Sequence, residues 1–435
     1  MKTLRNFYFG IISKHKYLIF SGVSLVFLAS GVANLANYLY TVLVGRLLGP
    51  SSYGLLAVIM SLLSIMSVPG LALNTVCAKF AAQFKAQNIP QESWSLMLRL
   101  SKRVLQSGLL VFMLVFIFSP FLTKFLNLPS PIYLWWLMIL LISSFLLVIP
   151  TSLIQGLQLF TQLAIAIILG GALKLFLGVL FVKLSWGVSG ALLGMFLSVL
   201  LVLAFVIYVL HKWKIPSSSI SLSRNDLLRF ATPTLLTYLG LTIINYQDLV
   251  IVRRFFPPVE VGMYAALSTL GKIIFFGIST VMTVAFPIIA ESFEKKAKTN
   301  MKIFLTLITS LGLAVVTVFA YFMRPILFVK LLFGNEYLAI SPMLGLMGIL
   351  VSIYSINYVI TMILLAKHQT QVWLICIILA SLHTGLLLRF HDSLLTIMMM
   401  GILANCLLLS LLTLYYSSDS QLIRKFYAIL SKPSK

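Results

Sequence analysis

Three charged side chains interrupt long apolar stretches of this 435-residue chain: Lys174, Asp248 and Lys272. A charge in apolar surroundings is costly, so each of the three needs a partner or a ligand. A lysine in such a place can bind an anionic group, and an aspartate can take up a proton or a metal cation. For Lys174 the alternative is a packing role, in which the apolar stem follows neighbouring leucines while the ammonium group reaches towards water.

Asp248 and Lys272 carry opposite charges on two consecutive predicted helices. The turn between those helices centres near Pro257 and Pro258. At 1.5 Å per residue the two Cα atoms differ in height by about 7 Å, most of which a lysine stem of about 6 Å spans. The pair is predicted either to form a permanent salt bridge or to act as a switch. In the switch, Asp248 binds H⁺ or Na⁺ and thereby releases Lys272 to hold an anion.

Arginines at the outer ends of the predicted first and seventh helices form a second cationic group: Arg46, Arg253 and Arg254. The planar guanidinium group binds two phosphate oxygens at once, which favours a role in holding a phosphate ligand. Contact with lipid headgroups at the outer surface is the alternative explanation for the same residues.

The elements that must position these side chains are predicted to be membrane-spanning helices. Hydrophobic residues make up 60% of the chain and charged residues only 9%, with a mean hydropathy of +1.07, whereas about a quarter of the residues of a soluble domain are charged. A helix needs about 20 apolar residues to cross a bilayer. Twelve segments meet this requirement: 18–44, 53–80, 104–126, 132–155, 159–182, 187–211, 230–253, 261–290, 302–330, 338–366, 370–390 and 393–416. The predicted fold class is an all-α polytopic membrane protein.

The distribution of basic residues predicts the orientation of these helices. Most of the 32 Lys and Arg residues fall in loops on the side of the N-terminus, and such residues concentrate on the cytoplasmic side of membrane proteins. Both termini are therefore predicted to be cytoplasmic. The formal net charge of +23 follows from these loops, and the compact basic patch of a nucleic-acid-binding domain is not predicted.

The second half of the chain repeats the first half in sequence. Asn37 aligns with Asn245, an offset of 208 residues, and other residues match in the same register. These further pairs include Arg46 with Arg254, Pro50 with Pro258 and Gly54 with Gly262. A repeat of six helices preserves orientation and predicts two parallel lobes with a substrate path between them. The predicted domains are an N-lobe at 1–211, a cytoplasmic linker at 212–229 and a C-lobe with a cytoplasmic tail at 230–435.

The turn after the predicted first helix resembles a known family. Its residues, Arg46-Leu-Leu-Gly-Pro-Ser-Ser-Tyr-Gly54, are similar to the first outer turn of the multidrug/oligosaccharidyl-lipid/polysaccharide (MOP) exporter superfamily, in its polysaccharide transporter branch. The turn at Pro257–Tyr264 resembles the family's second such turn, with Pro257 in place of its glycine. Gln155-Gly156-Leu157-Gln158 is also similar to family members. The resemblance covers essentially the whole chain, and its twelve helices resemble O-antigen-type flippases more than fourteen-helix lipid II flippases.

The resemblance implies a MATE-like fold and the export of oligosaccharide linked to undecaprenyl diphosphate, from the inner to the outer leaflet of the bacterial cytoplasmic membrane. The cationic residues are then expected to hold the diphosphate. Asn37 and Asn245 are expected either to contact sugar hydroxyls or to form hydrogen bonds between helices. No cofactor is expected, apart from H⁺ or Na⁺ coupling at Asp248. The polysaccharide polymerase and chain-length machinery are the expected protein partners.

Two other functions compete with this one. A cation-coupled multidrug exporter of the same superfamily favours acidic residues in the N-lobe, and the six helices predicted there contain none. A membrane-embedded glycan polymerase or glycosyltransferase usually needs clustered acids, and none of the nine acids is adjacent to another. The chain is therefore predicted not to be an enzyme. His383, in the middle of the predicted eleventh helix, is interpreted as a packing residue.

Overall fold

The computed structural model describes residues 2–212, 225–295 and 299–417. Within these ranges all regular secondary structure is helical, which confirms the predicted all-α class. The described α-helices, in chain order, are α1 Lys2–Met66, α2 Pro69–Ala86, α3 Glu92–Phe125, α4 Ile132–Gly156, α5 Phe160–Lys183, α6 Gly187–His211, α7 Asn225–Phe255, α8 Pro258–Glu294, α9 Asn300–Met323, α10 Pro325–Leu332, α11 Leu344–Ala366, α12 Val372–Arg389 and α13 Leu394–Ser417. A 3-10 helix at Asn335–Met343 lies between α10 and α11.

Eleven helical stretches in the described ranges are long and apolar enough to cross a membrane, against the twelve predicted. The difference arises in α1, where the 43-residue stretch Ser24–Met66 includes both the predicted first helix and the start of the second. The backbone departs from helical geometry at Gly49, with φ 72° and ψ 170°, a conformation that a residue without Cβ adopts easily. Dividing α1 at Gly49, with α2 continuing the second part, brings the count to twelve, and the chain is a multi-span membrane protein.

The prediction of one continuous second helix over 53–80 is wrong. The helical path is interrupted at Ser67 and Val68, and α2 begins at Pro69. Proline disfavours helical geometry in the residue before it and has no N–H to donate, so it serves well as the first residue of a new helix. The predicted tenth helix, 338–366, likewise begins with the 3-10 helix before α11 takes over.

The outward surface of α3 shows how the chain meets lipid. Leu110, Ile117 and Phe121 are 64%, 67% and 66% exposed, and their spacing of seven and four residues places them on one helix face. A soluble protein rarely exposes such a continuous apolar face. The face is therefore the surface that the hydrocarbon of the membrane covers.

By its internal contacts the chain divides into two compact units. The first contains Met1–Leu48 and Pro69–Ser223, and the second contains Gly49–Val68 and Arg224–Lys435. The segment Gly49–Val68, which the sequence assigns to the N-lobe, thus packs with the second unit. The reason is visible at Tyr53, whose hydroxyl lies 2.7 Å from that of Thr269. Most of the predicted linker and nearly all of the predicted cytoplasmic tail lie outside the described residues.

Helices of the first unit approach closely where one of them carries glycine. A Cβ atom on Gly171 of α5 would lie 3.0 Å from Cα of Ala33 on α1. One on Gly194 of α6 would lie 2.6 Å from Cα of Gly178 on α5. Small residues at such contacts are how membrane helices gain packing energy, because lipid is as apolar as the side chains themselves.

The second unit contains an even closer approach, between the part of α1 that follows Gly49 and the start of α8. A Cβ atom on Gly54 would lie 2.6 Å from the backbone nitrogen of Gly262. One on Gly262 would lie 1.7 Å from the carbonyl oxygen of Pro50. These two glycines are repeat counterparts in the sequence, and the contact needs both to lack a side chain.

Candidate functional site

A cavity of about 630 Å³ opens within the first unit, between α1, α2, α4 and α5. Apolar side chains form part of its wall, and its polar groups are amides and hydroxyls. These polar residues are Ser30, Asn34, Asn37, Asn74, Ser144, Thr151 and Gln155. No charged residue belongs to this wall, all of which lies in the described part of the chain. The cavity is therefore polar without carrying a charge.

Helical periodicity explains why these side chains meet. Ser30, Asn34 and Asn37 are separated by four and three residues, so they share one face of α1. The hydroxyl of Ser30 donates to the carbonyl of Val26 at 2.8 Å, and the amide of Asn37 donates to the carbonyl of Ala33 at 2.9 Å. Such bonds within the helix satisfy one donor of each side chain. The remaining oxygen acceptors can face a ligand.

Of the predicted N-lobe site residues, Asn37 lines this cavity and Lys174 lies close to it. Lys174 is half-buried on α5, one helical turn beyond Gly170 and Gly171 of the cavity wall. Its ammonium nitrogen lies 4.7 Å from the ring centroid of Tyr40, a distance at which the ring attracts a cation. The hydroxyl of Tyr40 donates to the carbonyl of Ala191 at 3.2 Å, which fixes the ring. Anchoring of phosphate by Lys174 stays a prediction.

Asp248 and Lys272, predicted as a pair, have different partners in the structure. Oδ2 of Asp248 accepts a hydrogen bond from the hydroxyl of Tyr264 at 2.7 Å, and Oδ1 accepts one from the N–H of Leu249 at 2.8 Å. The Lys272 ammonium lies 4.1 Å from the ring centroid of Tyr246. Among the described residues no ion pair within 4.0 Å joins the aspartate and the lysine. This arrangement argues against a permanent salt bridge, and the switch stays a prediction.

A second, much smaller cavity encloses Asp248 inside the second unit. Its volume is about 10 Å³, close to what one water molecule requires. Its polar lining comes from five helices and consists of Asn245, Asp248, Tyr264, Ser268, Tyr354, His383 and Asn405. The repeat-related Asn37 and Asn245 therefore each line a cavity, the large one in the first unit and the small one in the second.

The predicted arginines lie away from both cavities. Arg46 and Arg254 are exposed, whereas Arg253 is 5% exposed. None of the three belongs to the described wall of either cavity. Their positions at the ends of helical segments leave both interpretations open, phosphate binding and contact with headgroups.

Several polar cavity residues were not predicted from the sequence. Asn34, Asn74 and Thr151 received no role, although the spacing of Ser30, Asn34 and Asn37 on one helix face was a usable signal. Gln155 lines the cavity directly. The ammonium of Lys85 holds the nearby turn by donating to the carbonyl of Leu157 and to Oε1 of Gln158, both at 2.9 Å.

The fold is similar to solved structures of MATE transporters. An inward-facing multidrug resistance MATE family transporter of the MOP superfamily matches with a TM-score of 0.69 at 14% identity, covering 90% of this chain and 96% of that one. A eukaryotic MATE transporter gives 0.63 at 13% identity, covering 94% and 97%. The MATE multidrug transporter DinF-BH gives 0.61 at 16% identity, covering 93% and 95%. The protein thus has the fold of a MOP-superfamily transporter, as predicted.

The sequence identifies the family within that class. Residues 19–293, more than half of the chain, match the family described as polysaccharide biosynthesis protein. The chain belongs to the polysaccharide biosynthesis protein family, which confirms the predicted branch. In a sequence search against curated proteins, none matches.

Proposed function

We propose that this protein is a flippase that exports a polyprenyl-diphosphate-linked oligosaccharide across the bacterial cytoplasmic membrane for surface polysaccharide synthesis. The observation that carries the proposal is the large cavity of the first unit, whose polar groups are amides and hydroxyls. Amides and hydroxyls both donate and accept hydrogen bonds, as the hydroxyls of a sugar require. Membership of the polysaccharide biosynthesis protein family supports the same substrate class.

The diphosphate group needs cations, which the sugar cavity does not contain. Lys174, one turn away from its wall, is the nearest candidate, and Lys272 is the corresponding candidate in the second unit. Arg46, Arg253 and Arg254 complete the proposed cationic set at the outer side. Because each lysine already lies over a tyrosine ring, phosphate binding has to compete with, or add to, a cation–π contact.

We place both termini in the cytoplasm, because most basic residues lie in loops on that side. Transport proceeds by alternating access between the two lobes and requires no organic cofactor. Energy comes from coupling to H⁺ or Na⁺ in the small cavity that contains Asp248, which is a buried acid among polar groups. The polymerase and chain-length machinery of polysaccharide synthesis are the proposed partners that receive the exported substrate.

A multidrug exporter is the second candidate, favoured by the fold similarity to MATE multidrug transporters. An organic cation is bound best by a carboxylate in an apolar site. The described wall of the large cavity provides no carboxylate. The chemistry of the cavity therefore favours the uncharged, hydroxyl-rich substrate.

An export assay with both substrates separates the two candidates. Proteoliposomes carry either a fluorescent oligosaccharide linked to undecaprenyl diphosphate or the fluorescent organic cation ethidium. Fluorescence reports the arrival of the glycolipid at the outer leaflet in the first case and the release of ethidium from the vesicles in the second. We expect transport of the glycolipid and none of the dye. Asn34→Leu should slow glycolipid export about tenfold, since it removes one or two hydrogen bonds worth about 1.4 kcal/mol together.

Asn335→Leu is the matched control for this variant, because Asn335 is exposed outside both cavities. It should export the glycolipid at the wild-type rate. Glycolipid movement equal to that in protein-free vesicles would contradict the proposal. Movement of ethidium alone would establish the multidrug alternative.

A further inference from the structure

The small cavity of the second unit contains a buried histidine to which the proposed function gives no role. His383 is 2% exposed, and neither of its ring nitrogens has a hydrogen-bond partner within the described protein. Leaving a buried polar group unpaired costs about 1–3 kcal/mol. A residue that only fills space, as the sequence predicts for His383, does not need two nitrogen atoms in this place.

The helices around His383 are held in position beside it. On α12 the next residue, Thr384, is hydrogen-bonded through its hydroxyl to Oε1 of Gln247 on α7. Gln247 directly precedes Asp248, so the same link positions the carboxylate and the imidazole on facing helices. The helix α13 also approaches His383, because a Cβ atom on Gly401 would lie 3.7 Å from Nε2 of His383. The absence of a side chain there leaves the cavity open beside that nitrogen.

The polar groups that line the cavity together with His383 are almost all neutral hydrogen-bonding groups. Asp248 on α7 is the acid, and its Oδ2 is already bonded to Tyr264 of α8. Tyr354 on α11 adds a second phenol, whose hydroxyl donates to the carbonyl of Leu241 at 3.2 Å. From α13 the cavity receives the amide of Asn405. The base Lys272 lies over the Tyr246 ring and outside the cavity wall.

We propose that His383 is the proton-binding residue of this transporter, and that a single water molecule in the cavity links its imidazole to the Asp248 carboxylate. The cavity volume of about 10 Å³ fits one water molecule, which needs two to four polar partners. A proton arriving from bulk water on one side of the membrane binds to the free ring nitrogen and leaves to the other side after the conformational change. No other bond is made or broken.

The donor set suits a proton better than a metal cation. Na⁺ and the alkaline-earth ions prefer several oxygen ligands with carboxylates among them, whereas this cavity offers one carboxylate, already bonded to a tyrosine. In the described residues no group of three or more His, Cys, Asp or Glu could hold a metal. A neutral imidazole, in contrast, binds a single proton at a ring nitrogen and needs no further ligand.

Protonation gives the His383 imidazole a positive charge in the cavity that also contains the Asp248 carboxylate. The attraction draws α12 and α7 together, and this is the step that favours one conformation of the transport cycle over the other. The inference rests on the proposed export by alternating access, but it concerns the coupling ion and not the transported molecule.

The test reads conformation and uses no glycolipid, so failure of the export assay does not affect it. The parent variant has its three native cysteines replaced by alanine and carries Ser30→Cys in the large cavity, labelled with bimane. Iodide quenching of the label is measured in proteoliposomes from about pH 8 to about pH 4, and we expect the quenching constant to change about twofold at the acidic end through a shift in populations. His383→Gln and His383→Asn should both remove this change.

His391→Gln is the matched control, because His391 lies outside the cavity, stacked on Phe255. It should keep the full pH response, and thermal unfolding identifies any variant that has not folded. Replacing potassium iodide with sodium iodide should change nothing. The proposal is overturned if the parent shows no pH response, if folded His383 variants retain it, or if sodium rather than pH controls quenching.

Discussion

Replacing Gly262 with alanine is expected to destabilise the second unit, because the structure leaves no space for a Cβ atom. That atom would lie 1.7 Å from the carbonyl oxygen of Pro50 and 2.3 Å from its carbonyl carbon. Ordinary contact begins at about 3.5 Å, so the part of α1 after Gly49 and the start of α8 would have to separate by more than about 1 Å. Overpacking typically costs about 1–3 kcal/mol. We expect a loss of stability at the upper end of this range, because the atoms that obstruct the new Cβ belong to the backbone and not to a flexible side chain.

Thermal unfolding of the purified protein in detergent measures this effect. At roughly 2 °C per kcal/mol for a large chain, a loss of about 3 kcal/mol lowers the Tm by about 6 °C. Gly54→Ala should act in the same direction, since its Cβ would lie 2.6 Å from the backbone nitrogen of Gly262.

Two exposed glycines in helix interiors provide matched controls, because a Cβ on Gly312 or Gly385 would meet nothing within 4 Å. Alanine there should leave the Tm unchanged or raise it slightly, since alanine favours a helix over glycine by about 1 kcal/mol. A Gly262→Ala protein that melts at or above the wild-type temperature would refute the close approach of the two helices.

Two further predictions concern the phosphate anchor and the topology. Lys174→Ala should abolish glycolipid export in the proteoliposome assay at normal protein levels, whereas Lys174→Arg should keep part of it because the charge survives with altered geometry; full export by the alanine variant would assign the lysine to packing on Tyr40. A tag near Ser130 should react with impermeant reagents on intact cells, whereas tags near Ser217 and after Lys435 should require permeabilised cells. An external tag near Ser217 would contradict the six-plus-six arrangement.

The helical class, the approximate spans and the family could be predicted because each depends on local or repeated sequence. A run of about 20 apolar residues commits the backbone to a helix in lipid, where unsatisfied peptide groups are too costly. The turn at Arg46–Gly54 led to the resemblance that the family match confirms. The break before Pro69 was missed, although proline is a known helix boundary signal, because apolar sequence continues on both sides of it.

The candidate site could be predicted only in part. Lys174, Asp248 and Lys272 stand out in the sequence because charge is rare among apolar residues. The tyrosines that contact these three residues do not stand out in the sequence, because the chain contains many other aromatic residues. The predicted pairing of Asp248 with Lys272 rested on their opposite charges and on helix height, and neither defines which way a side chain points around the helix axis.

The sequence by itself determined that this is an all-helical, multi-span membrane protein built from a repeat. Hydropathy is a local property of the chain, and the repeat is visible when the two halves of the sequence are aligned. Only the tertiary structure decided which polar side chains share a cavity. Asn37, Asn74 and Gln155 are far apart in sequence and lie on α1, α2 and α4, yet they line one cavity. Next to Gln155, Gly156 lets α4 approach α2 closely, because a Cβ atom there would lie 2.2 Å from the carbonyl oxygen of Ala78. Tertiary structure also decided that His383 and Asp248 line the same small cavity. Both outcomes depend on the rotation and separation of packed helices, which no local pattern in the sequence specifies.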